Sequence, residues 1–198
     1  MTEISSICVY CGSGPGNDPA FMQAAADLGR SLAEHKIALV YGGANVGLMG
    51  RVARSTLEHG GYVTGIIPDF LKSRELMLDT IQETITVPDM HTRKRMMYER
   101  ADAFIALPGG VGTLEELVEQ LTWAQLGQHS KPILMLDIKD FWKPLLVLLA
   151  HMRQAHFIRE GLEVNYLVAQ KTEDAVPMIL DIARRRKSAS PAPSMEKM

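Results

Sequence analysis

The sequence predicts a single α/β domain in which helices cover both faces of one doubly wound, Rossmann-like parallel sheet. Short apolar runs alternate with helical patterns almost from end to end, which is typical of a parallel sheet covered by helices. The length of 198 residues suits one domain, and 46% hydrophobic residues can bury a continuous core. Three of the apolar runs end in glycine-rich turns, as strands of this fold class do at their ligand-binding edge.

Seven strands are predicted, each as a short apolar run bounded by turn residues. They span residues 6–10, 37–41, 62–67, 84–87, 103–107, 133–136 and 166–169.

Helix start and stop signals lie between these strands. Asp18 can cap a first helix that has Pro19 at its first position. A second helix spans residues 47–58 and ends before Gly60 and Gly61. Further helices are predicted in the segment MHTRKRMMYER after Pro88, directly after the turn PGGVGT, and over residues 173–185.

The chain divides into a nucleotide-binding hydrolytic domain, residues 1–186, and a tail, residues 187–198, that is predicted to be disordered. The tail reads KSASPAPSMEKM, and its Ser, Pro and Ala content cannot build a packed core. The basic run at residues 184–187 is interpreted as solvated charge at a helix C-terminus. The polar stretch SRELMLDT, residues 73–80, follows a strand and is a candidate active-site loop.

Charge and hydropathy limit the possible partners. A net charge of -2 gives no overall attraction to nucleic acid or to an anionic membrane surface. The first residues lack the regions of a signal peptide, and no apolar run is long enough to span a membrane. We therefore expect a cytoplasmic protein that binds a small molecule at a local site.

The two cysteines, Cys8 and Cys11, have the spacing of a C-x-x-C motif. This spacing would suit redox chemistry or half of a zinc site. Cys8, however, lies inside an apolar run, and no second Cys or Cys/His pair completes four ligands. We interpret Cys8 as a core residue and expect no metal.

Three glycine-rich turns carry the strongest local signal. They are CGSGPG at residues 11–16, YGGANVG at residues 41–47 and PGGVGT at residues 108–113. Each leads into a helix whose free N–H groups favour anions, so together they predict a phosphate-binding rim, with Ser13 and Gly43 as candidate substrate contacts. The alternative is that the glycines only make tight turns. No turn matches the dinucleotide or the lysine P-loop motif.

The helix after PGGVGT carries an acid close to this rim. A buried stripe is predicted at Leu114, Leu117, Val118 and Leu121. Another face holds Thr113, Glu116, Gln120 and Trp123. Glu116 then falls in the first turn, where a carboxylate could stabilise positive charge at the anomeric carbon of a bound sugar phosphate. The structural alternative is a capping box formed by Thr113 and Glu116.

The segment MHTRKRMM places Arg93, Lys94 and Arg95 near a helix start. Cations oppose the helix dipole there, which suggests that an anion holds at least one of them. A solvated basic face is the alternative. His91 has no second ligand at metal-binding spacing.

These motifs together resemble the Lonely Guy family of cytokinin riboside 5′-monophosphate phosphoribohydrolases. The resemblance rests on YGGANVGLMG, SRE, MHTRKRMM, ADAFIALPGGVGTLEEL and LTWAQLG, in this order. It implies hydrolysis of AMP or N6-prenylated AMP to the free base and ribose 5-phosphate, by a homodimer without metal or cofactor. It implies catalytic roles for Arg93 and Glu116. The substrate-binding residues that it implies are Glu75, Lys94, Gly110, Val111, Gly112, Thr113 and Thr122, and Gly109 of the same turn is a further candidate substrate contact.

Two alternative functions remain open at the level of the sequence. A noncatalytic nucleotide-sensing module could use the same fold and the same phosphate-binding turn. Amino-acid decarboxylation would need a lysine that carries pyridoxal phosphate, and nothing in the sequence marks Lys72, Lys94, Lys131 or Lys139 for that role. The choice between AMP and its prenylated forms is also open.

Overall fold

The computed structural model describes residues 4–72, 78, 80–159, 161–163 and 165–189. Its centre is one sheet of seven parallel strands in the order β4-β3-β2-β1-β5-β6-β7. The strands are β1 (Ser6–Tyr10), β2 (Ala38–Tyr41), β3 (Val63–Pro68), β4 (Glu83–Val87), β5 (Ala103–Ala106), β6 (Ile133–Leu136) and β7 (Leu167–Ala169). All seven predicted strands are confirmed, each to within one residue at either end.

Six helices join these strands in the described part of the chain. They are α1 (Pro19–Glu34), α2 (Gly47–Glu58), α3 (Met90–Glu99), α4 (Val111–Gln125), α5 (Lys143–Gln154) and α6 (Thr172–Ala189). The predicted cap of α1 is confirmed, since the Asp18 carboxylate accepts a hydrogen bond from the Ala20 N–H at 2.8 Å. None of the helices in the described ranges has the length and hydropathy needed to cross a membrane.

The last helix extends further than predicted. It runs to Ala189 rather than to Arg185, and its final three residues therefore belong to the segment 187–198 that the sequence assigns to a tail. Residues 190–198 lie outside the described part of the chain.

Alternate residues of the sheet face two hydrophobic cores. Ile7 and Val9 of β1 pack in a core that includes residues of α1, α2 and α6. Cys8 and Tyr10, one residue out of phase, pack in a second core with residues of α3, α4 and α5. Because strand side chains alternate between faces, the two cores establish the predicted doubly wound architecture. Cys8 is confirmed as a fully buried core residue with a free thiol.

The carboxyl edge of the sheet holds the three glycine-rich turns close together. β1 lies between β2 and β5, so the chain reverses its winding direction there, which is where open α/β sheets bind ligands. The Gly12 N–H donates to the Pro108 carbonyl at 3.0 Å, and the Leu48 N–H donates to the Gly12 carbonyl at 3.1 Å. The prediction that the turns meet at one edge is therefore confirmed.

Candidate active site

A cleft of about 310 Å³ opens at this edge, between the turn after β1 and the first turns of α3 and α4. It is lined by Cys11, Gly12, Ser13, Met49, Met90, Arg93, Gly110, Val111, Gly112, Thr113, Glu115 and Glu116. Both predicted catalytic residues and five of the predicted binding residues thus share one cavity. An adjoining pocket of about 390 Å³, with Phe21, Leu48 and Phe141 in its wall, shares Gly12, Ser13 and Gly110 with the cleft.

The first turn of α4 supplies unoccupied backbone donors to the cleft. The cap residue is Gly110, which has no side chain to accept a hydrogen bond. Among the described residues, no acceptor is bonded to the N–H groups of Val111, Gly112 and Thr113, and the first bond of the helix runs from the Leu114 N–H to the Gly110 carbonyl at 3.1 Å. Free N–H groups and the positive end of the helix dipole favour an anion at this position.

At the other two helix starts, several of the first backbone donors are already bonded. The start of α1 is already capped by the carboxylate of Asp18, which disfavours a second anion. In α2, the N–H groups of Leu48 and Met49 both donate to the Gly12 carbonyl. Of the three helix starts, the start of α4 after PGGVGT therefore offers the most free donors to an anion.

Gly109 packs tightly between Thr113 and the backbone of Gly12. A Cβ atom at Gly109 would lie 2.6 Å from the Cβ of Thr113 and 2.8 Å from the backbone N of Gly12. Such distances are well inside van der Waals contact, so only glycine lets the turn after β5 pack against both neighbours.

The structure corrects the predicted position of Glu116. Helix α4 begins at Val111, so Thr113 is its third residue and Glu116 lies in the second turn, not the first. The capping box is wrong, because the cap is Gly110 and not Thr113. The predicted stripe is also wrong in part: Leu117 and Leu121 are buried, but Leu114 and Val118 are 38% and 41% exposed.

The buried face of α4 is instead partly polar. Thr113, Glu116 and Gln120 are buried together with Leu117 and Leu121. This face contacts the sheet and the cleft, whereas the face with Leu114 and Val118 points away from both. Hydrophobicity alone therefore gave the wrong orientation of the helix.

Arg93 lies opposite Glu116 and is held by the backbone of two strands. Its Nε donates to the Ile66 carbonyl at 3.2 Å and its Nη2 to the Gly42 carbonyl at 3.4 Å. A Cβ atom at Gly42 would collide with this guanidinium. Arg93 Nη1 is 3.9 Å from Glu116 Oε1, and both residues are buried, with exposed fractions of 8% and 9%. The pair is close enough for electrostatic attraction but too long for a hydrogen bond.

Burial strongly affects the ionisation of Glu116. It raises the pKa of the carboxyl group from 4.5 to about 7, while the nearby positive charge of Arg93 opposes the rise. A carboxyl group with a pKa near neutrality can exchange a proton with a reacting group at physiological pH. Such shifts are typical of catalytic acids and bases.

The other predicted binding residues within the described ranges do not line the cleft. Gly43 is buried in the turn after β2, and Gly109 lines the adjoining pocket. The ammonium of Lys94 contacts Glu115 Oε1 at 2.6 Å and Glu119 Oε1 at 2.9 Å. Thr122 is exposed on the outer face of α4, where its hydroxyl donates to the Val118 carbonyl at 2.8 Å. Glu75 lies outside the described residues.

The anions beside the basic segment of α3 are protein carboxylates. Arg93 faces Glu116, Lys94 contacts two acids of α4, and Asp89 caps α3 by accepting a hydrogen bond from the Thr92 N–H at 2.7 Å. The prediction that an anion holds one of these cations is confirmed. The solvated alternative describes Arg95, which is exposed.

Several lining residues escaped the sequence analysis. Met49, Met90 and Cys11 form an apolar wall of the cleft. The only available signal was that both methionines lie inside motif segments, YGGANVGLMG and MHTRKRMM. Their residue type alone does not distinguish a binding wall from a core.

The fold and the cleft together define an α/β protein in which a helix start with free N–H groups lies next to a buried carboxyl group and guanidinium. A family model described as possible lysine decarboxylase matches residues 49–179. The cytokinin riboside 5′-monophosphate phosphoribohydrolase LOG7 of Arabidopsis thaliana is 51% identical over 145 residues, which cover 73% of this chain and 67% of the relative. LOG1 of the same organism, of the same description, is 39% identical over 98% of this chain and 92% of its own.

A bacterial relative, the cytokinin riboside 5′-monophosphate phosphoribohydrolase of Rhodococcoides fascians, is 43% identical over 88% of both chains. The chain belongs to the Lonely Guy family, as its motifs predicted, and is an enzyme of the phosphoribohydrolase class.

Solved structures support the fold over almost the whole chain. A molybdenum cofactor binding protein from Rippkaea orientalis superposes with a TM-score of 0.69 at 22% identity, covering 92% of this chain and 99% of that one. The Moco carrier protein of Chlamydomonas reinhardtii gives 0.67 at 19% identity, with the same coverage. At these identities the likeness concerns the fold alone.

Proposed function

We propose that this enzyme hydrolyses the N-glycosidic bond of adenine nucleoside 5′-monophosphates, AMP or its N6-prenylated forms, to the free base and ribose 5-phosphate. The observation that carries the proposal is the position of Glu116: a buried carboxyl group with a pKa near 7, in the same cleft as the open N-terminus of α4. The activity named for the curated relatives agrees with this assignment.

The 5′-phosphate is anchored by the free N–H groups of Val111, Gly112 and Thr113. These donors are fixed before the substrate arrives, because the Gly12 N–H bonds to the Pro108 carbonyl and Gly109 packs tightly against Gly12 and Thr113. Binding energy from the phosphate is thereby converted into placement of the anomeric carbon. The phosphate is remote from the bond that breaks, so its loss lowers the rate of the chemical step as well as affinity.

Glu116 acts on the sugar. As the C–N bond lengthens, its electron pair moves to the base and the ribose gains oxocarbenium character, which the carboxylate of Glu116 stabilises. The oxygen of a water molecule then bonds to the anomeric carbon and Glu116 accepts a proton from that water, while the departing base takes up one proton, so that the free base and ribose 5-phosphate are released. General-base assistance of this kind contributes about 10²- to 10⁴-fold to the rate.

Arg93 orients Glu116 and balances negative charge in the cleft. Its own position is fixed by two backbone carbonyls, so it does not move with the substrate. The resemblance to the family implies further substrate contacts at Glu75 and Thr122, and the glycine-rich turns suggest Ser13 and Gly43; all four stay predictions.

We also propose that the enzyme is a homodimer in which a second copy covers the outer face of α4. Val111 is 84% exposed on this face, and Leu114 and Val118 lie next to it. A row of exposed apolar side chains on a helix is typical of an interface. Thr122 lies on the same face, which would bring it to the partner's site rather than to its own. A cytoplasmic location is part of the same proposal.

The proposal is tested by mixing the purified protein with AMP and with N6-isopentenyladenosine monophosphate and measuring free base by chromatography. Adenosine, which lacks the phosphate, is the matched control and should react far more slowly. Thermal stabilisation by AMP without release of base would support a noncatalytic nucleotide-binding module instead. A pyridoxal absorbance band in the purified protein would favour decarboxylation, although none of its candidate lysines lines the cleft among the described residues.

A further inference from the structure

Three ion pairs cross between α3 and α4, and their cations are the consecutive residues Arg93 and Lys94. Arg93 approaches Glu116 at 3.9 Å, whereas Lys94 contacts Glu115 and Glu119 at 2.6 Å and 2.9 Å. The Lys94 side chain is only 12% exposed. Glu115 lies one residue before Glu116 and Glu119 three residues after it. The short contacts of Lys94 therefore lie on both sides of Glu116 along the helix.

The two cations are fixed to different parts of the fold. Arg93 donates to the carbonyls of Ile66, which lies within β3, and Gly42, which directly follows β2, and it therefore stays with the sheet. In the part of the chain that the structure describes, the ammonium of Lys94 bonds only to the two acids of α4. Lys94 thus fastens α4 to α3 and sets how near Glu116 comes to the fixed guanidinium.

The same contacts determine the charge around Glu116. Its own helix places Glu115 and Glu119 beside it, and α3 contributes Arg93 and Lys94. From β1 and the residue after it come Cys8, Tyr10 and Cys11, which stay uncharged because burial raises the pKa of each. Two acids and two bases therefore surround Glu116, and only Lys94 neutralises the acids. Burial disfavours the ammonium charge, but the bonds to both acids outweigh it and raise the pKa of Lys94.

We propose that Lys94 is a positioning residue, which lets Glu116 ionise inside the buried cleft by neutralising Glu115 and Glu119 and by holding α4 at a set distance from Arg93. The inference rests on the proposed function only in taking Glu116 as the base. It differs from the substrate-binding role that the family resemblance gives to Lys94. A substrate contact would act on KM, whereas a positioning residue acts on the pH at which Glu116 ionises.

Removing the cation of this contact and removing one of its acids should shift the ionisation of Glu116 in opposite directions. Lys94→Met leaves two uncompensated acids beside Glu116, which disfavours a third negative charge and moves its titration to higher pH. Glu119→Gln removes one acid and moves the titration to lower pH. A rise of about one pH unit from the starting value of about 7 lowers the ionised fraction at pH 7 from about half to about a tenth, a loss of about fivefold in kcat/KM.

The experiment follows Glu116 with and without turnover. The ¹³C carboxyl resonance of Glu116, assigned by its absence in Glu116→Gln, is titrated in the ligand-free wild type, Lys94→Met and Glu119→Gln. The pH profile of kcat/KM for AMP is measured on the same proteins. Arg100→Met is the matched control. Arg100 follows α3, and its guanidinium forms an ion pair with Glu83 at 2.7 Å, at a position that does not line the cleft. The titration of Glu116 should not move in this variant.

Opposite shifts in Lys94→Met and Glu119→Gln support the inference. An unchanged Glu116 titration with a raised KM in Lys94→Met overturns it and assigns Lys94 to the substrate. If Lys94→Met does not fold, Glu119→Gln decides alone, and an unmoved titration rejects the proposal. If the wild type shows no turnover, the proposed function fails, but the ligand-free titration still decides the role of Lys94.

Discussion

Replacing Glu116 by glutamine should stabilise the protein, and increasingly so as the pH rises. Below pH 4.5 the carboxyl group is protonated in both the folded and the unfolded chain, so it contributes no pH-dependent difference. Above that pH the unfolded chain ionises, while the folded protein holds the proton up to about pH 7. The wild type therefore loses stability across this window relative to a glutamine that never ionises.

The size of the effect follows from the width of the window. A pKa raised from 4.5 to about 7 lowers the unfolding free energy of the wild type by about 3 kcal/mol once the pH is above both values. Between pH 5 and pH 8.5, the advantage of Glu116→Gln should grow by about 2.5 kcal/mol. Other titrating groups cancel, because they are the same in both proteins.

The assay is urea denaturation of wild type and Glu116→Gln at pH 5 and pH 8.5, with the unfolding free energies extrapolated to water. Glu58→Gln is the matched control, because Glu58 is half exposed at the end of α2 and does not line the cleft. An advantage of Glu116→Gln that is equal at the two pH values would refute the reasoning, since it would mean that Glu116 ionises normally in the folded state.

Three further substitutions test the other parts of the site. Arg93→Met should lower kcat by about 10²- to 10³-fold and move the acid limb of the pH profile upward, because Glu116 loses its nearest cation; an unmoved limb would contradict the pairing. Gly109→Ala should cost about 1–3 kcal/mol of stability and weaken AMP binding, as measured by thermal denaturation and calorimetry; a fully stable variant with normal affinity would show that the turn tolerates a Cβ atom. Leu114→Glu should give a monomer by light scattering if α4 forms the dimer interface, and an unchanged mass would place the interface elsewhere.

The fold could be predicted because its signals are local. Each strand is a short apolar run between turn residues, and the α1 cap needs only Asp18 followed by Pro19. The start of α4 was misplaced by a similar local signal: Thr113 and Glu116 have capping-box spacing, but the free backbone of Gly110 lets the helix begin earlier. Sequence patterns cannot show which of two permitted starts the neighbouring turn selects.

The orientation of α4 and the contacts of Lys94 depend on tertiary structure. The sheet edge accepts Thr113, Glu116 and Gln120 because the cleft lies there, and this leaves apolar Leu114 and Val118 outside. Lys94 bonds to two acids more than twenty residues away in sequence, which no local pattern indicates. Arg93 and Glu116 were predicted from motifs as site residues, but their 3.9 Å spacing and the raised pKa of Glu116 are visible only in three dimensions.

The central claim is that Glu116 breaks the glycosidic bond of a nucleotide held by α4. The most direct test compares wild type and Glu116→Gln for AMP binding by calorimetry and for release of adenine and ribose 5-phosphate by chromatography. We predict that the wild type releases both products in equal amounts. Glu116→Gln should bind AMP with similar affinity but release adenine at least about 10²-fold more slowly. Turnover by Glu116→Gln at the wild-type rate would contradict the account.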